Sequence, residues 1–262
     1  MKMQLKQKMI GVTSVALLAG LFMMPLTGNA QGRGRGMGNQ MGSLSTVINQ
    51  LPMQDLSAQE KEGLLLMREE EKLARDVYQA LYKKWNHLTF AQIAKSEQQH
   101  MDSIKVLLDK YSIPDPIKNS EQGVFANAKL QKLYASLIAK GEKSLVDALQ
   151  VGATIEDLDI KDLYELIAQT DNKDIKIVYQ NLAKGSRNHI RAYIARLSMN
   201  NAHYEAQFLS SSVIDDIINN PRERGMVDEN GVQISSSRQG GGPGRGMRRG
   251  GQQGGGGFLP TM

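Results

Sequence analysis

Helix start and stop signals follow one another closely along the middle of this chain, and they constrain its fold more than any other feature. Ser57 with Glu60, and Thr89 with Gln92, form two capping boxes, a pattern that opens helices. Two prolines soon after residue 111 end the second helical pattern. No middle segment alternates apolar and polar residues as a half-buried strand does. The sequence therefore predicts an all-α domain.

The apolar periodicity divides this region into four main helices and several shorter ones. Asp159 is expected to restart a short helix, and a further short helix is expected to pack on the bundle within 199–236. Four long helices with connecting turns are typical of a helix bundle. The predicted helices cover 57–85, 89–111, 127–140, 145–158, 159–169 and 172–198.

The net charge of +5 comes from the two ends of the chain. Residues 1–42 and 237–262 contain nine Lys and Arg residues and no acidic residue, whereas 43–236 has 23 basic against 27 acidic residues. The middle region is therefore mildly acidic. A positive charge that would favour a nucleic-acid partner thus lies outside the predicted domain.

The first 30 residues have the three parts of an export signal. Three lysines precede a mostly apolar run over 9–24, and Gly28 and Ala30 place small residues at the cleavage positions. The run is short for a membrane span and stops at Pro25, so cleavage after Ala30 is favoured over an uncleaved anchor. We predict that 1–30 is a signal peptide and that the mature protein is periplasmic or secreted, without a membrane span.

The two flanking regions are predicted to be disordered, as a linker over 31–50 and a tail over 221–262, which leaves a helical domain over 51–220. Gly, Arg and Gln dominate much of both regions, and their apolar content is too low to offset the entropy of ordering. The Arg-Gly pattern resembles that of RNA-binding tails. A flexible solubilising or envelope-adhering tail fits export better, so no nucleic-acid partner is expected.

Charged residues occupy positions on the apolar faces of all four main helices. On a helical wheel, Glu71 falls among the apolar residues of the first helix and Glu156 among those of the third. Glu97 and His100 share the apolar face of the second helix, because a spacing of three places both on one side. His189 lies on the apolar face of the fourth helix. Since a buried carboxylate without a partner is costly, these positions predict a buried polar site.

Two interpretations of this site remain open. The first is a metal centre, in which carboxylates and imidazoles bind one or two ions. The second is a helical binding or structural module whose polar core holds no metal, with Glu71 paired to Arg75 and Glu156 solvated near a helix end. The chain has no Cys, which excludes disulfides, thiolate ligands and a cysteine nucleophile. Any metal must therefore use His, Glu, Asp or backbone oxygens.

The four helical motifs resemble those of the ferritin-like superfamily, and of rubrerythrins in particular. Glu71, followed two turns later by Tyr78, is similar to their first-helix motif. Glu97-Gln-Gln-His100 is similar to their second-helix motif, and Glu156 stands where their third helix offers a Glu. The resemblance covers 56–217. It implies a carboxylate-bridged dimetal four-helix bundle in an uncharacterised exported branch.

The fourth helix departs from the family pattern, because Ser186 stands where the second Glu-x-x-His motif has its Glu. Glu70 or Asp159 would supply the missing carboxylate, a water on Ser186 would fill the position, or one of the two metal positions would be weak or empty. The resemblance thus implies five protein ligands: Glu71, Glu97, His100, Glu156 and His189.

The resemblance also implies a cofactor and an activity. Two irons are expected, bridged by Glu97 and Glu156, with manganese or zinc as alternatives. The implied activity is oxidase or peroxidase chemistry in metal handling or oxidative-stress defence, and the missing Glu affects that activity more than the fold. A homodimer is the implied assembly. Four nearby aromatic residues are expected to pack against the site or to relay electrons: Tyr78, Tyr82, Trp85 and Tyr193.

Overall fold

The computed structural model describes residues 38–234, and their side chains from residue 44 onward. The all-α prediction is confirmed, since the described residues contain no strand beyond one isolated bridge. The predicted signal peptide and the tail after residue 234 lie outside this range. Across 38–234, no helix has both the length and the apolar character needed to span a bilayer. The helices are α1 (Gly38–Gln50), α2 (Ala58–Trp85), α3 (Leu88–Lys110), α4 (Ala128–Gly141), α5 (Leu145–Gln169), α6 (Lys173–Met199) and α7 (Ser211–Asn219).

Capping residues set the boundaries of the first long helix pair. The Ser57 hydroxyl accepts a hydrogen bond from the backbone N–H of Glu60, whose carboxylate accepts one from the backbone N–H of Ser57, so the predicted capping box is present. Asn86, at φ 48°, ends α2 in the left-handed conformation. The ring of His87 then accepts from the backbone N–H of Thr89 and opens α3. Thr89 therefore lies inside the helix rather than before it.

A single helix, α5, replaces the two helices predicted over 145–158 and 159–169. It begins after Ser144, whose hydroxyl accepts a first-turn backbone N–H as predicted. Asp159 does not interrupt it, because its carboxylate turns into the bundle and accepts a hydrogen bond from Ser186 instead of capping a new helix.

Helices α2, α3, α5 and α6 form a four-helix bundle with antiparallel neighbours. Helix α2 packs against α3 and α5, and α6 packs against the same two helices. Gly63 lies against Leu166, while Tyr78 lies against Gly152, which shows that α2 and α5 run in opposite directions. The α2–α3 and α5–α6 connections are short. The α3–α5 connection is long and contains α4, which packs on α2 and α5.

Helix α1 brings part of the predicted 31–50 linker into the fold. Leu44 and Ile48 are buried, and α1 packs against α3 and α6. The Lys110 ammonium donates to the carbonyls of Ile48 and Leu51 at the end of α1. The structure differs from the prediction because an apolar pair spaced by four residues forms a buried stripe, despite the Gly-rich sequence before it.

The chain also continues to pack on the bundle beyond the predicted boundary at residue 220. Helix α7, the short helix expected within 199–236, buries Ile214 and Ile217. Val227 is buried, and its backbone carbonyl and N–H both bond to the side chain of Asn181 in α6. One side chain thus provides both hydrogen bonds for the backbone of a residue in an irregular segment. Sequence periodicity does not predict such a contact.

A polar layer divides the apolar core of the bundle into two clusters. On α2, α3 and α6, the predicted ligand positions fall between the residues of one cluster and those of the other, and on α5 Glu156 is followed by Ile160 of the first cluster and Leu163 of the second. The first cluster includes Tyr78, Phe90, Leu149 and Tyr193, and the second includes Leu64, Ile104, Leu163 and Leu182.

Candidate metal centre

Five side chains from four helices meet in this polar layer. Helix α2 supplies Glu71, α3 supplies Glu97 and His100, α5 supplies Glu156, and α6 supplies His189. The carboxylate residues are each 1% exposed and the two histidines 8%. The structure therefore brings together the five residues that the sequence selected, and it buries all of them.

The five side chains form two overlapping clusters, each around one imidazole. His100 Nδ1 lies 3.2 Å from Oε2 of Glu71 and 2.8 Å from Oε2 of Glu97. His189 Nδ1 lies 2.9 Å from Oε1 of Glu97 and 3.3 Å from Oε2 of Glu156. In each cluster the three ligand atoms lie within 4.8 Å of one another, close enough to surround one ion.

Glu97 belongs to both clusters. Its Oε2 atom faces His100 and its Oε1 atom faces His189, and the two imidazole rings stack at 5.5 Å. A carboxylate with its two oxygens turned to different ligand sets is suited to bridge two ions. Glu156, which the family resemblance also made a bridge, lies in the second cluster alone.

Buried ligand atoms in these clusters lack hydrogen-bond partners among the described residues. They include Glu71 Oε1, Glu97 Oε1 and His189 Nδ1. The last two atoms are 2.9 Å apart but are not oriented as a hydrogen bond. An unpaired buried polar group costs about 1–3 kcal/mol, and a cation at this position would satisfy these lone pairs. The donor set of carboxylates and imidazoles suits iron, manganese or zinc, so the residues present fit the implied metal.

The electrostatics of the site also favour bound cations. Burial, only partly offset by His100, raises the pKa of Glu71 to about 7. Burial and the charge of Glu97 raise the pKa of Glu156 to about 7. Burial acts to lower the pKa of His189, but Glu97 and Glu156 raise it to about 10. Without metal, the layer thus retains protons that balance its negative charge.

The pKa of Glu97 is shifted in the opposite direction. Burial acts to raise its pKa, but the adjacent His189 and His100 hold it below its ordinary value. The shared carboxylate is therefore ionised across the neutral range, as a bridging ligand must be.

Two neighbours orient the second cluster. Ser96 Oγ lies 2.9 Å from Nε2 of His189, and Tyr78 donates a hydrogen bond of 2.6 Å to Oε1 of Glu156. A second ring nitrogen held in this way fixes the tautomer and orientation of a metal-binding imidazole. Ser96 was not predicted from the sequence. The pattern that identifies it is a small polar residue directly before Glu97, on the face turned to α6.

Asp159 and Ser186 lie beside the clusters as a pair. The Ser186 hydroxyl donates a 2.6 Å hydrogen bond to Oδ2 of Asp159. Burial and the charges of Glu71 and Glu156 raise the Asp159 pKa well above its ordinary value. Neither residue belongs to a three-ligand cluster of the described residues.

The structure does not bring Glu70 to the clusters. Burial and the charges of Asp162 and Glu71 raise its pKa well above the ordinary value, and its Oε2 atom is buried without a hydrogen-bond partner in the described chain. Glu70 lines an apolar cavity between α2, α4 and α5, and Asp159 lines the opposite side of that cavity.

The alternative contacts considered for Glu71 and Glu156 do not occur. Arg75 binds Asp76 and Gln98 rather than Glu71, and Glu156 is buried in the middle of α5 rather than solvated at a helix end. The Tyr193 ring lies 5.4 Å from the Tyr78 ring, and both belong to the first apolar cluster.

The outer aromatic residues have packing roles. Trp85 donates its indole N–H to the carbonyl of Gly141, away from the ligands. Tyr82, like Trp85, is half-buried against the first apolar cluster.

The bundle lies in a region of the chain that is similar to known proteins. Residues 60–221 match the family model described as an uncharacterized protein domain, DUF2202. The chain is 58% identical over 179 residues to the uncharacterized protein MJ0754 of Methanocaldococcus jannaschii, a match that covers 68% of this chain and 97% of that protein. The crystal structure of hypothetical protein MJ0754 matches at 57% identity with a TM-score of 0.65, over 66% of this chain and 99% of that one. The family match contains all five residues of the two clusters.

Proposed function

The chain belongs to the family of the uncharacterized protein domain DUF2202, and we propose that it is a metal-binding protein of the ferritin-like kind. Glu97 with Glu71 and His100 would hold one ion, and Glu97 with Glu156 and His189 would hold a second. The observation that carries this proposal is the single buried carboxylate shared by two clusters of converging ligand atoms, three of which lack a hydrogen-bond partner among the described residues.

The topology of the bundle supports the ferritin-like assignment. Helix pairs α2–α3 and α5–α6 are each joined by a short turn, and one long connection carrying α4 links the pairs. A single long crossover of this kind is a feature of ferritin-like bundles. The four long helices each project a ligand into one layer, as that fold does.

Iron is the metal that we propose first, with manganese or zinc as alternatives. When bound, a di-iron centre supplies oxidase or peroxidase chemistry, which would serve metal handling or oxidative-stress defence. Tyr78 and Ser96 hold Glu156 and His189 in place. We assign the carboxylate role of the missing family Glu to Asp159, held by Ser186.

Export and a homodimer are further parts of this proposal. The residues that support export are the lysines, apolar run and small residues of 1–30, which lie outside the described part of the chain. Cell fractionation with sequencing of the mature N-terminus tests the location, and we expect a periplasmic or secreted protein that starts at Gln31.

A metal-free structural module is the second candidate function. The observation that favours it is that contacts within the layer already link the four helices. These contacts are those of both imidazoles with carboxylates and the Tyr78–Glu156 hydrogen bond. In this alternative the protonated imidazoles satisfy the layer, and the protein gains no stability from metal.

Metal stoichiometry separates the two functions. Two preparations are compared: protein purified from the envelope of the cells that make it, and metal-free protein reconstituted with Fe(II) under anaerobic conditions. We expect elemental mass analysis to find about two ions per chain in both. Glu97→Gln is expected to lose both ions, because it removes the shared ligand. His100→Ala is expected to lose the first ion.

His203→Ala is the matched control, since His203 is exposed and remote from the layer. Retention of wild-type metal by Glu97→Gln, or only traces of iron, manganese and zinc in the native protein, would contradict the metal centre.

A further inference from the structure

A large cleft opens the metal centre to solvent on its imidazole side. It lies between α3 and α6, has a volume of about 820 Å³, and is bordered by the segment 222–226 that follows α7. His100 and His189 both line it. A cleft of this size accommodates a small molecule rather than a single ion.

The imidazoles are the part of the centre that meets this cleft. Glu71, Glu97 and Glu156 are each 1% exposed, and none of the three lines it. Gly185 lies beside His100, where an added Cβ would be 2.5 Å from Nε2. The absence of a side chain at this position therefore leaves the imidazole edge in place at the base of the cleft.

The walls of the cleft are strongly cationic. Five basic side chains face one carboxylate, although residues 43–236 as a whole have more acidic than basic residues. A positive cleft attracts anions and disfavours free divalent cations, so it suits an anionic reactant better than the metal itself. The basic residues are Lys95, Lys184, Arg191, Arg222 and Arg224.

Two of these cations are committed to the fold, and the carboxylate is neutralised. Arg191 binds Glu223, which also receives two hydrogen bonds from Arg187. Lys184 donates to the Asn181 side chain and to the carbonyl of Gly225. These contacts anchor the segment that borders the cleft.

The other three cations have no such partner. Lys95, Arg222 and Arg224 are exposed, and they make no hydrogen bond or ion pair with the described residues. Guanidinium groups donate in a planar fork that matches carboxylate and phosphate oxygens.

We propose that this cleft binds a small molecule carrying a carboxylate or phosphate group, and that Arg222 and Arg224 hold its anionic group beside the imidazole edge of the metal centre. The inference rests on the proposed function, because it names the class of reactant presented to that centre. Lys95 contributes to attraction from the α3 side, and Glu223, which binds Arg187 and Arg191, anchors the segment that carries the two arginines.

Calorimetric titration tests this inference with inorganic phosphate and succinate as the probes. Each is added to metal-free protein and to cobalt(II)-loaded protein, whose visible spectrum reports changes around the metal. We expect saturable binding of at least one probe to both forms and a change in the cobalt spectrum. The Arg222→Ala/Arg224→Ala variant is expected to weaken binding by about tenfold or more.

The matched control is Lys132→Ala/Lys140→Ala, which removes the same charge from exposed positions on α4. It is expected to bind both probes as the wild type does, and thermal unfolding checks that both variants fold.

Each outcome of this test decides the inference. It is overturned if neither probe binds, if the control loses binding equally, or if binding leaves the cobalt spectrum unchanged. If cobalt itself does not bind while phosphate or succinate binding still requires Arg222 and Arg224, the proposed function fails and the anion cleft stands.

Discussion

Glu97 and Gly185 illustrate how single residues define the candidate metal centre. Glu97 turns one oxygen to each imidazole, so it connects the two halves of the site. Gly185 leaves space for the His100 ring, since a Cβ there would lie 2.5 Å from Nε2 and 2.7 Å from Cε1. The sequence shows that Glu97 faces the core, but a glycine inside a helix gives no sign of what it accommodates.

Replacement of Gly185 by alanine tests the packing of His100. We expect Gly185→Ala to displace the imidazole and weaken metal binding by about 10- to 100-fold, the usual effect of a disturbed ligand orientation. Metal titration against a chelator measures the change.

Gly63→Ala is the matched control, because its Cβ would meet the flexible side chain of Leu166, away from the ligands. An equal loss of affinity in both variants would show that the effect is general destabilisation rather than a shift of His100.

At the scale of helices, α1 and α5 show where local sequence signals fail. Asp159 resembles a helix start, yet its carboxylate is used inside the bundle and α5 continues through it. The Gly-rich sequence around α1 resembles a linker, yet Leu44 and Ile48 bury an apolar stripe against the bundle. In both cases a tertiary contact outweighs the local preference.

Ile48→Ala measures whether α1 is part of the cooperative fold. Because Ile48 is fully buried, we expect a loss of about 2–5 kcal/mol in the free energy of unfolding. Denaturant unfolding gives this value.

Asn49→Ala, at the exposed neighbouring position, is expected to change the stability by less than about 0.5 kcal/mol. A similarly small effect of Ile48→Ala would mean that α1 adds nothing to the stability of the bundle.

At the scale of the whole molecule, the polar layer couples stability to protons and metal. It separates two apolar clusters that would otherwise form one core. The pKa is raised to about 7 for Glu71 and Glu156 and to about 10 for His189. These groups therefore hold their protons more tightly in the folded protein than in the unfolded chain. Their stabilisation is full at low pH and is lost as pH rises through these values.

Thermal unfolding at several pH values tests this coupling. As pH rises from about 5 to above 10, we expect the metal-free protein to lose this stability, first from Glu71 and Glu156 as pH passes about 7 and then from His189 as pH passes about 10. Metal binding requires the deprotonated ligands, so the increase in unfolding temperature on adding metal is expected to grow over the same range.

In His100→Ala the pH dependence of the metal-induced gain is expected to be smaller. Competition between protons and metal would be contradicted if the metal-induced increase in unfolding temperature of the wild type stayed constant or became smaller as pH rises.

The sequence by itself determined the helical class, most helix bounds and the five inward polar side chains. Caps and 3.6-residue periodicity are local properties, and they leave a direct record along the chain. The tertiary structure decided that Glu97 serves both clusters, that Ser96 and Tyr78 orient the second cluster, and that 222–226 borders a cationic cleft over the imidazoles. These relations join residues far apart in sequence, and their geometry follows from how the helices pack rather than from the local pattern of any one helix.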